Sequence, residues 1–402
     1  MSDAQMGNLT DPLLTLPIAP LGIIALESSR ELGARINEYL LRWRNDLQNT
    51  SQFYTVPGFN RDTFLLDADC PRFGTGEAKG LIRQSIRGYD LYLLVDIGNY
   101  GVKYNLYGQQ VPMTPDEHFA DLKRIIAAAA GKSKRVNVIM PLLYEGRQHK
   151  RSSRESLDCA LALQELERMG VTNIITFDAH DPRVQNAIPL MGFESVYPSY
   201  QILKALCREV KDLILNKEHM MIISPDEGGL QRNIYFATVL GLDMGMFYKR
   251  RDYTQVINGR NPIIAHEYIG SDVAGKDVFI ADDIISTGES IIDLARELKR
   301  RKANRIFVAA TFAFFTDGLE AYSEAYENGI IDKVFATNLT YRSPELKAQP
   351  WFAEVDMSKY IAYIIATINH DRTTSPLLNP LDRIKNLLIR YKAEQAQRGI
   401  IY

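Results

Sequence analysis

The sequence predicts an α/β protein built as two domains, each a mostly parallel sheet flanked by helices. Three observations predict it. Short apolar runs alternate with amphipathic segments from about residue 91 to about residue 340. Several of the runs are continuous in Val and Ile, as strands covered on both faces are. Strand, helix, strand at this rhythm gives parallel pairing through right-handed crossovers, and a chain of 402 residues has room for two such units.

In order, the strand candidates are DLYLLVDI (90–97), VNVIMP (136–141), NIITFD (173–178), MMIIS (220–224), DVFIAD (277–282) and RIFVAATF (305–312), with GLDMGMF (241–247) as a further one. Thr114-Pro115-Asp116-Glu117 forms a capping box with proline at the first helical position, so a helix starts there. A helix over 154–168 stops at Gly170, where glycine takes a left-handed C-cap easily. GFESVYPSYQ (192–201) is turn-like and separates two series of strands, which makes it the candidate boundary. Residues 340–357 look irregular, and 381–398 reads as a basic terminal helix.

Composition bounds the function. Hydrophobic residues at 46% and charged residues at 24% are ordinary for a globular protein, and a net charge of −2 gives no bulk attraction to nucleic acid or anionic lipid. Any anion site is therefore local. Cys70, Cys159 and Cys207 are odd in number and lack CxxC spacing, which speaks against a disulfide framework or zinc site and fits the cytoplasm. The N-terminal stretch has neither a basic region nor an uninterrupted apolar core, and no run approaches the ~18 apolar residues of a membrane helix.

In open α/β sheets ligands sit beyond the carboxyl ends of strands, so residues directly after an apolar run carry the chemistry. After DVFIA come Asp282 and Asp283, then Ser286-Thr287-Gly288-Glu289-Ser290, where the next helix begins. Amides and hydroxyls at a helix N-terminus cradle phosphate. The two acids then bind sugar hydroxyls or hold a metal ion; the plainer alternative is a capped loop with two solvated aspartates. FDAHD places Asp178 and His180 two apart, on one side if the strand continues. His180 is a ligand for Mg²⁺ or phosphate, or a hydrogen-bonded loop histidine. GRQHKRSSR (146–154) suits a polyphosphate through arginine's planar fork, or is a solvated charge run. In YKRRD (248–252), Lys249 and Arg251 bring positive charge to a transferring phosphoryl group, or lie on the surface.

Two decoys fail. Gly131-Lys132-Ser133 lacks the first glycine of a Walker A loop, because Ile126 stands there, and Gly74 and Gly76 lack the third glycine of GxGxxG, where Lys79 stands.

Taken in order, the segments resemble ribose-phosphate diphosphokinase, also called phosphoribosyl pyrophosphate synthetase. The likeness runs through ALESSRELGARINEYL (25–40), RFGTGEAKGLIRQSIRGYDLYLLVDI (72–97), GRQHKRSSRES (146–156), FDAHDPRVQNAI (177–188), SPDEGGLQR (224–232), YKRR (248–251) and VFIADDIISTGES (278–290), with a weak echo in RTTSPLL (372–378). The resemblance implies two phosphoribosyltransferase-like domains: an ATP-side domain over 1–197 joined by a helix near 358–370, and a ribose-5-phosphate domain over 198–345. Residues 346–402 remain as a C-terminal segment with an extra helix.

It also implies transfer of the β,γ-diphosphoryl group of ATP to ribose 5-phosphate, giving phosphoribosyl pyrophosphate and AMP, with Mg²⁺. Arg147 and Gln148 would bind ATP, and Phe73 with Glu77 would meet the adenine from a neighbouring subunit. His180 and Asp226 would serve metal and substrate, with His180 also counted among the catalytic groups beside Lys249 and Arg251. Asp226, Asp282, Asp283, Ser286, Thr287, Gly288, Glu289 and Ser290 would hold ribose 5-phosphate. The assembly implied is a dimer-based homo-oligomer, up to a hexamer.

His149 stands where the family has Asp, Thr75 where it has Asn or Asp, and Ser286 where it has a third acid. The chain is also longer near 45–70, at 98–115 and beyond 380. Two alternatives follow: a non-catalytic homologue that assembles with an active synthetase, and a phosphoribosyltransferase. The second leaves the basic segment at 146–154 without a role.

Overall fold

The structure, a computed structural model, describes residues 15–48, 61–251 and 263–399. It divides into two units: residues 1–198, 338–341 and 356–379 form the first, and residues 199–337, 342–355 and 380–402 the second. The stretch 346–402 is thus shared between them, with the helix Ser358–Asn369 in the first unit and the helix Leu381–Gln397 in the second.

In the first unit the strands are, in chain order, β1 (Leu21–Ala25), β2 (Ala68–Asp69), β3 (Leu81–Ile82), β4 (Asp90–Leu94), β5 (Lys103–Leu106), β6 (Gln109–Pro112), β7 (Arg135–Ile139), β8 (Asn173–Phe177) and β9 (Gly192–Val196). Five of them make a parallel sheet in the order β1-β4-β7-β8-β9, while β2 with β3 and β5 with β6 are short antiparallel pairs. Ile23, Leu91, Leu93, Val138 and Ile174 are fully buried, as strands covered on both faces require. Helices α1 (Arg30–Gln48), α2 (Pro115–Ala129) and α3 (Asp158–Arg168) flank the sheet. Thr114 and Glu117 complete the capping box at the start of α2.

Asp90, completely buried at the start of β4, accepts two 2.8 Å bonds from Arg135 and further bonds from Tyr92, Asn137 and Asn369. Asn369 closes the helix Ser358–Asn369, so this network ties that late helix to the sheet. Buried charge is tolerated only when paired in this way.

In the second unit the strands are β10 (Met220–Ser224), β11 (Asp243–Arg251), β12 (Ile263–Ile269), β13 (Asp277–Ile285), β14 (Ile306–Ala313), β15 (Lys333–Thr337) and β16 (Phe352–Val355). Their order is β12-β11-β10-β13-β14-β15-β16, and the only antiparallel pair among the described strands of this sheet is β11 with β12. Helices α4 (Ser199–Glu209), α5 (Leu230–Leu240), α6 (Glu289–Arg300) and α7 (Glu320–Glu327) belong to this unit. From β10 the chain moves to β11 on one side and then crosses to β13 on the other. The strand order therefore reverses between β10 and β13, which puts the ligand crevice of this sheet at their carboxyl ends.

Several expectations are corrected. β13 does not stop at Asp282 but runs to Ile285, because its pairing with β14 continues through Asp282 to Ile285. β11 likewise runs through the Lys-Arg-Arg segment that was expected to follow it. The helix expected from 154 starts at Asp158, leaving the arginines of 146–154 in an irregular loop. The turn-like patch at 192–201 is the edge strand β9 followed by the start of α4, and the irregular stretch 340–357 contains the helix Pro344–Lys347 and β16. Among the described residues no helix is long and apolar enough to cross a membrane.

Candidate functional site

The crevice of the second unit is built from the ends of β10 and β13. Ser224 ends β10 and its hydroxyl donates to the carbonyl of Asp226 at 2.8 Å. The loop then turns back, with Gly229 N–H donating to Asp226 Oδ1 at 3.1 Å, and α5 starts at Leu230. On β13, Asp282 and Asp283 alternate faces as strand residues do: Asp282 is half-buried and Asp283 buried. Arg232, on the first turn of α5, stands 3.7 Å from Asp282.

Burial pushes the Asp282 carboxyl well above the usual carboxylate range. Asp283 beside it pushes the same way and Asp226 adds to the effect, while Arg232 opposes it. Burial and the neighbouring acids thus outweigh Arg232 at this carboxyl.

Past Ile285 the chain passes through Ser286 and Thr287 to Gly288, which takes a left-handed φ of +87° as N-cap of α6. Gly288 itself has no side chain with which to cap the helix; Thr287 Oγ1 accepts from Glu289 N–H at 3.4 Å, and this turn of small residues at a helix N-terminus is of the kind that can receive a phosphate. The ring of Tyr322 lies directly beneath: a Cβ at position 288 would meet its Cε2 at 2.2 Å, so only glycine fits. Glu289 and Ser290 open α6 with exposed side chains. Lys249 and Arg251 end β11, in register with His266 and Ile263; only their backbone is described, and residues 252–262 lie outside the described residues.

In the first unit, Phe73 and Glu77 flank a tight turn. Phe73 N–H donates to the Glu77 carbonyl at 2.7 Å, Thr75 Oγ1 donates to Glu77 Oε2 at 3.0 Å, and Gly76 takes φ +92°. Phe73 is 53% exposed at this tip. Arg72 anchors the turn, bonded to Asp121 at 2.8 Å with both side chains largely buried and with its guanidinium over the Tyr104 ring.

After β7, Arg147 is exposed, but Gln148 is turned inward: its amide donates to Ser156 O at 2.8 Å and staples the basic loop. His149, in the place of the family's acid, stands 3.5 Å from Asp181 and its ring centroid is 5.3 Å from that of His180. Burial lowers the His149 imidazole's affinity for protons, with Asp181 opposing. Arg183 clasps Asp181 through side-chain and backbone bonds and holds its carboxyl far below the usual range. The expected common side for Asp178 and His180 is corrected: Asp178 adopts φ +46°, which breaks the strand geometry, so Asp178 is buried and His180 exposed.

Among the described residues no three His, Cys, Asp or Glu side chains cluster as a ready metal cage. Mg²⁺ needs none, since it is held by one or two carboxylates with substrate phosphates and waters. The acids around Asp282 fit such a cation by their chemistry. His180 and Asp226 fall in different units, and each is a potential ligand within its own. Sequence reasoning missed Asn233 and Tyr322, and left Arg232 without a role although it closes the SPDEGGLQR segment. Tyr322 carries no sequence signal at all.

Parallel sheets, a crevice at the strand reversal and an acid pair leading into a glycine-capped helix start define a protein of the phosphoribosyltransferase fold class. Residues 21–170 match the N-terminal domain of ribose phosphate pyrophosphokinase and residues 194–339 match the phosphoribosyl transferase domain, together well over half of the chain. The chain belongs to the ribose-phosphate pyrophosphokinase family. It is 26% identical over 319 residues to the ribose-phosphate pyrophosphokinase of Vibrio cholerae, covering 78% of this chain and 92% of the relative. The Aquifex aeolicus ribose-phosphate pyrophosphokinase is 27% identical over 277 residues, covering 68% of this chain and 79% of that one. In fold it is similar to the crystal structure of phosphoribosylpyrophosphate synthetase from Mycobacterium smegmatis, with a TM-score of 0.67 and 20% identity over 87% of this chain and 99% of that one.

Proposed function

We propose that the protein transfers the β,γ-diphosphoryl group of ATP to ribose 5-phosphate, acting in the cytoplasm as a homo-oligomer. The observation that carries this is the crevice of the second unit, where Asp282 and Asp283 lead directly into the N-terminus of α6. That spacing suits a sugar phosphate: the 286–290 turn takes the 5-phosphate and the acids face the ribose hydroxyls. The anomeric hydroxyl oxygen, giving up its proton to solvent, then forms a bond to the β-phosphorus of ATP as the bond from that phosphorus to the α,β-bridging oxygen breaks, and AMP leaves with the bridging oxygen and the electron pair.

Lys249 and Arg251 stabilise the charge on the diphosphoryl group in flight. Arg147 binds ATP phosphates, while Phe73 and Glu77, exposed on their anchored turn, serve the adenine of a neighbouring copy. Gln148, whose amide holds the loop through Ser156 O, joins Arg147 in binding ATP. Mg²⁺, held by acids of the crevice and by His180 and Asp226 in their own units, would supply charge neutralisation of the phosphates.

Incubation with ATP, Mg²⁺ and ribose 5-phosphate should release AMP. No AMP with any pentose phosphate would overturn the proposal. The second reading, a non-catalytic partner of an active synthetase, is favoured by His149 beside Asp181 and predicts co-purification with an active homologue but no turnover alone.

A further inference from the structure

Asn233 is completely buried on the first turn of α5. Its amide is committed in every direction. Nδ2 donates to Gly229 O and to Ala281 O, each at 2.8 Å, and reaches Ser224 Oγ at 3.4 Å; Oδ1 accepts from Ala281 N–H at 3.1 Å. The pairing with both backbone groups of Ala281 fixes which end of the amide is which, since an N–H demands the oxygen and a carbonyl demands the nitrogen.

One side chain thus joins three places: the end of β10, the loop that carries Asp226, and β13 immediately before Asp282. Strand pairing cannot do this job there, because the register between β10 and β13 ends at Ile223 with Ile280, one step short of Ala281. The amide continues the ladder where the two backbones part to open the crevice. Gly229 is shaped to it, since a Cβ at that position would press on Asn233 Nδ2 and Ser224 Oγ, both at 3.3 Å.

We propose that Asn233 is a positioning residue: it sets the spacing between the Asp226 loop and the Asp282-Asp283 pair, and thereby the affinity for the sugar phosphate. This rests on the reading of the crevice as the ribose 5-phosphate site. Removing the amide leaves Ala281 N–H, Ala281 O and Gly229 O without this partner in a buried place, and the loop and strand separate.

The experiment compares wild type, Asn233→Ala and Gly229→Ala by calorimetric titration with ribose 5-phosphate and separately with ATP, with circular dichroism to follow folding. Asn233→Ala should weaken ribose 5-phosphate binding by about tenfold or more, the scale of one to two buried polar groups left unpaired, and leave ATP affinity within about twofold. Gly229→Ala, which only nudges the loop off the amide, should shift ribose 5-phosphate in the same direction by a smaller factor, and it carries the test if Asn233→Ala does not fold. Unchanged sugar-phosphate affinity in a folded variant, or equal losses for both ligands, would overturn the positioning role. A wild type that does not bind ribose 5-phosphate would instead overturn the reading of the crevice, and the proposal with it.

Discussion

Replacing Gly288 by alanine is the sharpest test of the proposed phosphate turn. The residue holds φ +87°, and the added Cβ would lie 2.2 Å from Tyr322 Cε2 and 2.5 Å from its hydroxyl oxygen. Tyr322 has nowhere to go: it is 1% exposed, and the rings of Phe315 and Trp351 pack on it at 4.9 and 5.4 Å. A left-handed conformation costs a non-glycine residue about 1–2 kcal/mol, and overpacking a filled core costs about 1–3 kcal/mol. The sum, about 2–5 kcal/mol, corresponds to a loss of at least ~30-fold in ribose 5-phosphate affinity if the turn yields, at 1.4 kcal/mol per tenfold; if it does not yield, the sum appears as lost stability.

The assay is calorimetric titration with a thermal melt, on Gly288→Ala, Tyr322→Leu and the double variant. Leucine lacks the atoms that the new Cβ strikes, so the pair should couple favourably by at least ~1 kcal/mol. Wild-type affinity and melting temperature in Gly288→Ala, or strictly additive effects in the cycle, would refute the reasoning.

Lys249→Ala should cut AMP release by at least ~10²-fold, the scale of a removed transition-state donor; turnover near wild type would take Lys249 out of the mechanism. Because burial and Asp283 raise the Asp282 pKa in the fold, ionising Asp282 costs stability from the unfolded pKa upward. Asp282→Asn should therefore melt higher than wild type at pH 8, with the gap closing as the pH falls toward about 4, and a gap independent of pH would contradict that cause. Arg135→Ala strands the buried Asp90 carboxylate and should destabilise the protein by about 3–5 kcal/mol in a urea titration; a loss under about 1 kcal/mol would mean that Tyr92, Asn137 and Asn369 suffice.

Much of this was legible because it is local. Continuous apolar runs gave β4, β7, β8, β10 and β14, and Thr114 with Glu117 marked the start of α2. The small residues between β13 and α6 marked the strand-to-helix junction. What stayed hidden depends on partners far along the chain. Nothing around Asp282 says that β13 continues, because β14 is what extends it. His180 and Asp178 share a face in an ideal strand, but the left-handed Asp178 separates them. Asn233 looks like an ordinary helix residue until Ala281, nearly fifty positions later, is beside it.

The late return of the chain to the first unit bears on how the protein is made. The N–H groups that finish the Asp96 carboxylate belong to Gly98 and Tyr341, and the amide that completes Asp90 belongs to Asn369. On a ribosome, the first two hundred residues emerge long before either late partner exists. The first unit gains these bonds only after residues 199–337 and 342–355 of the second have been synthesised. Folding in order of synthesis, the usual habit of multidomain chains, would leave the buried Asp90 and Asp96 of this unit short of these bonds until residue 369 has been made.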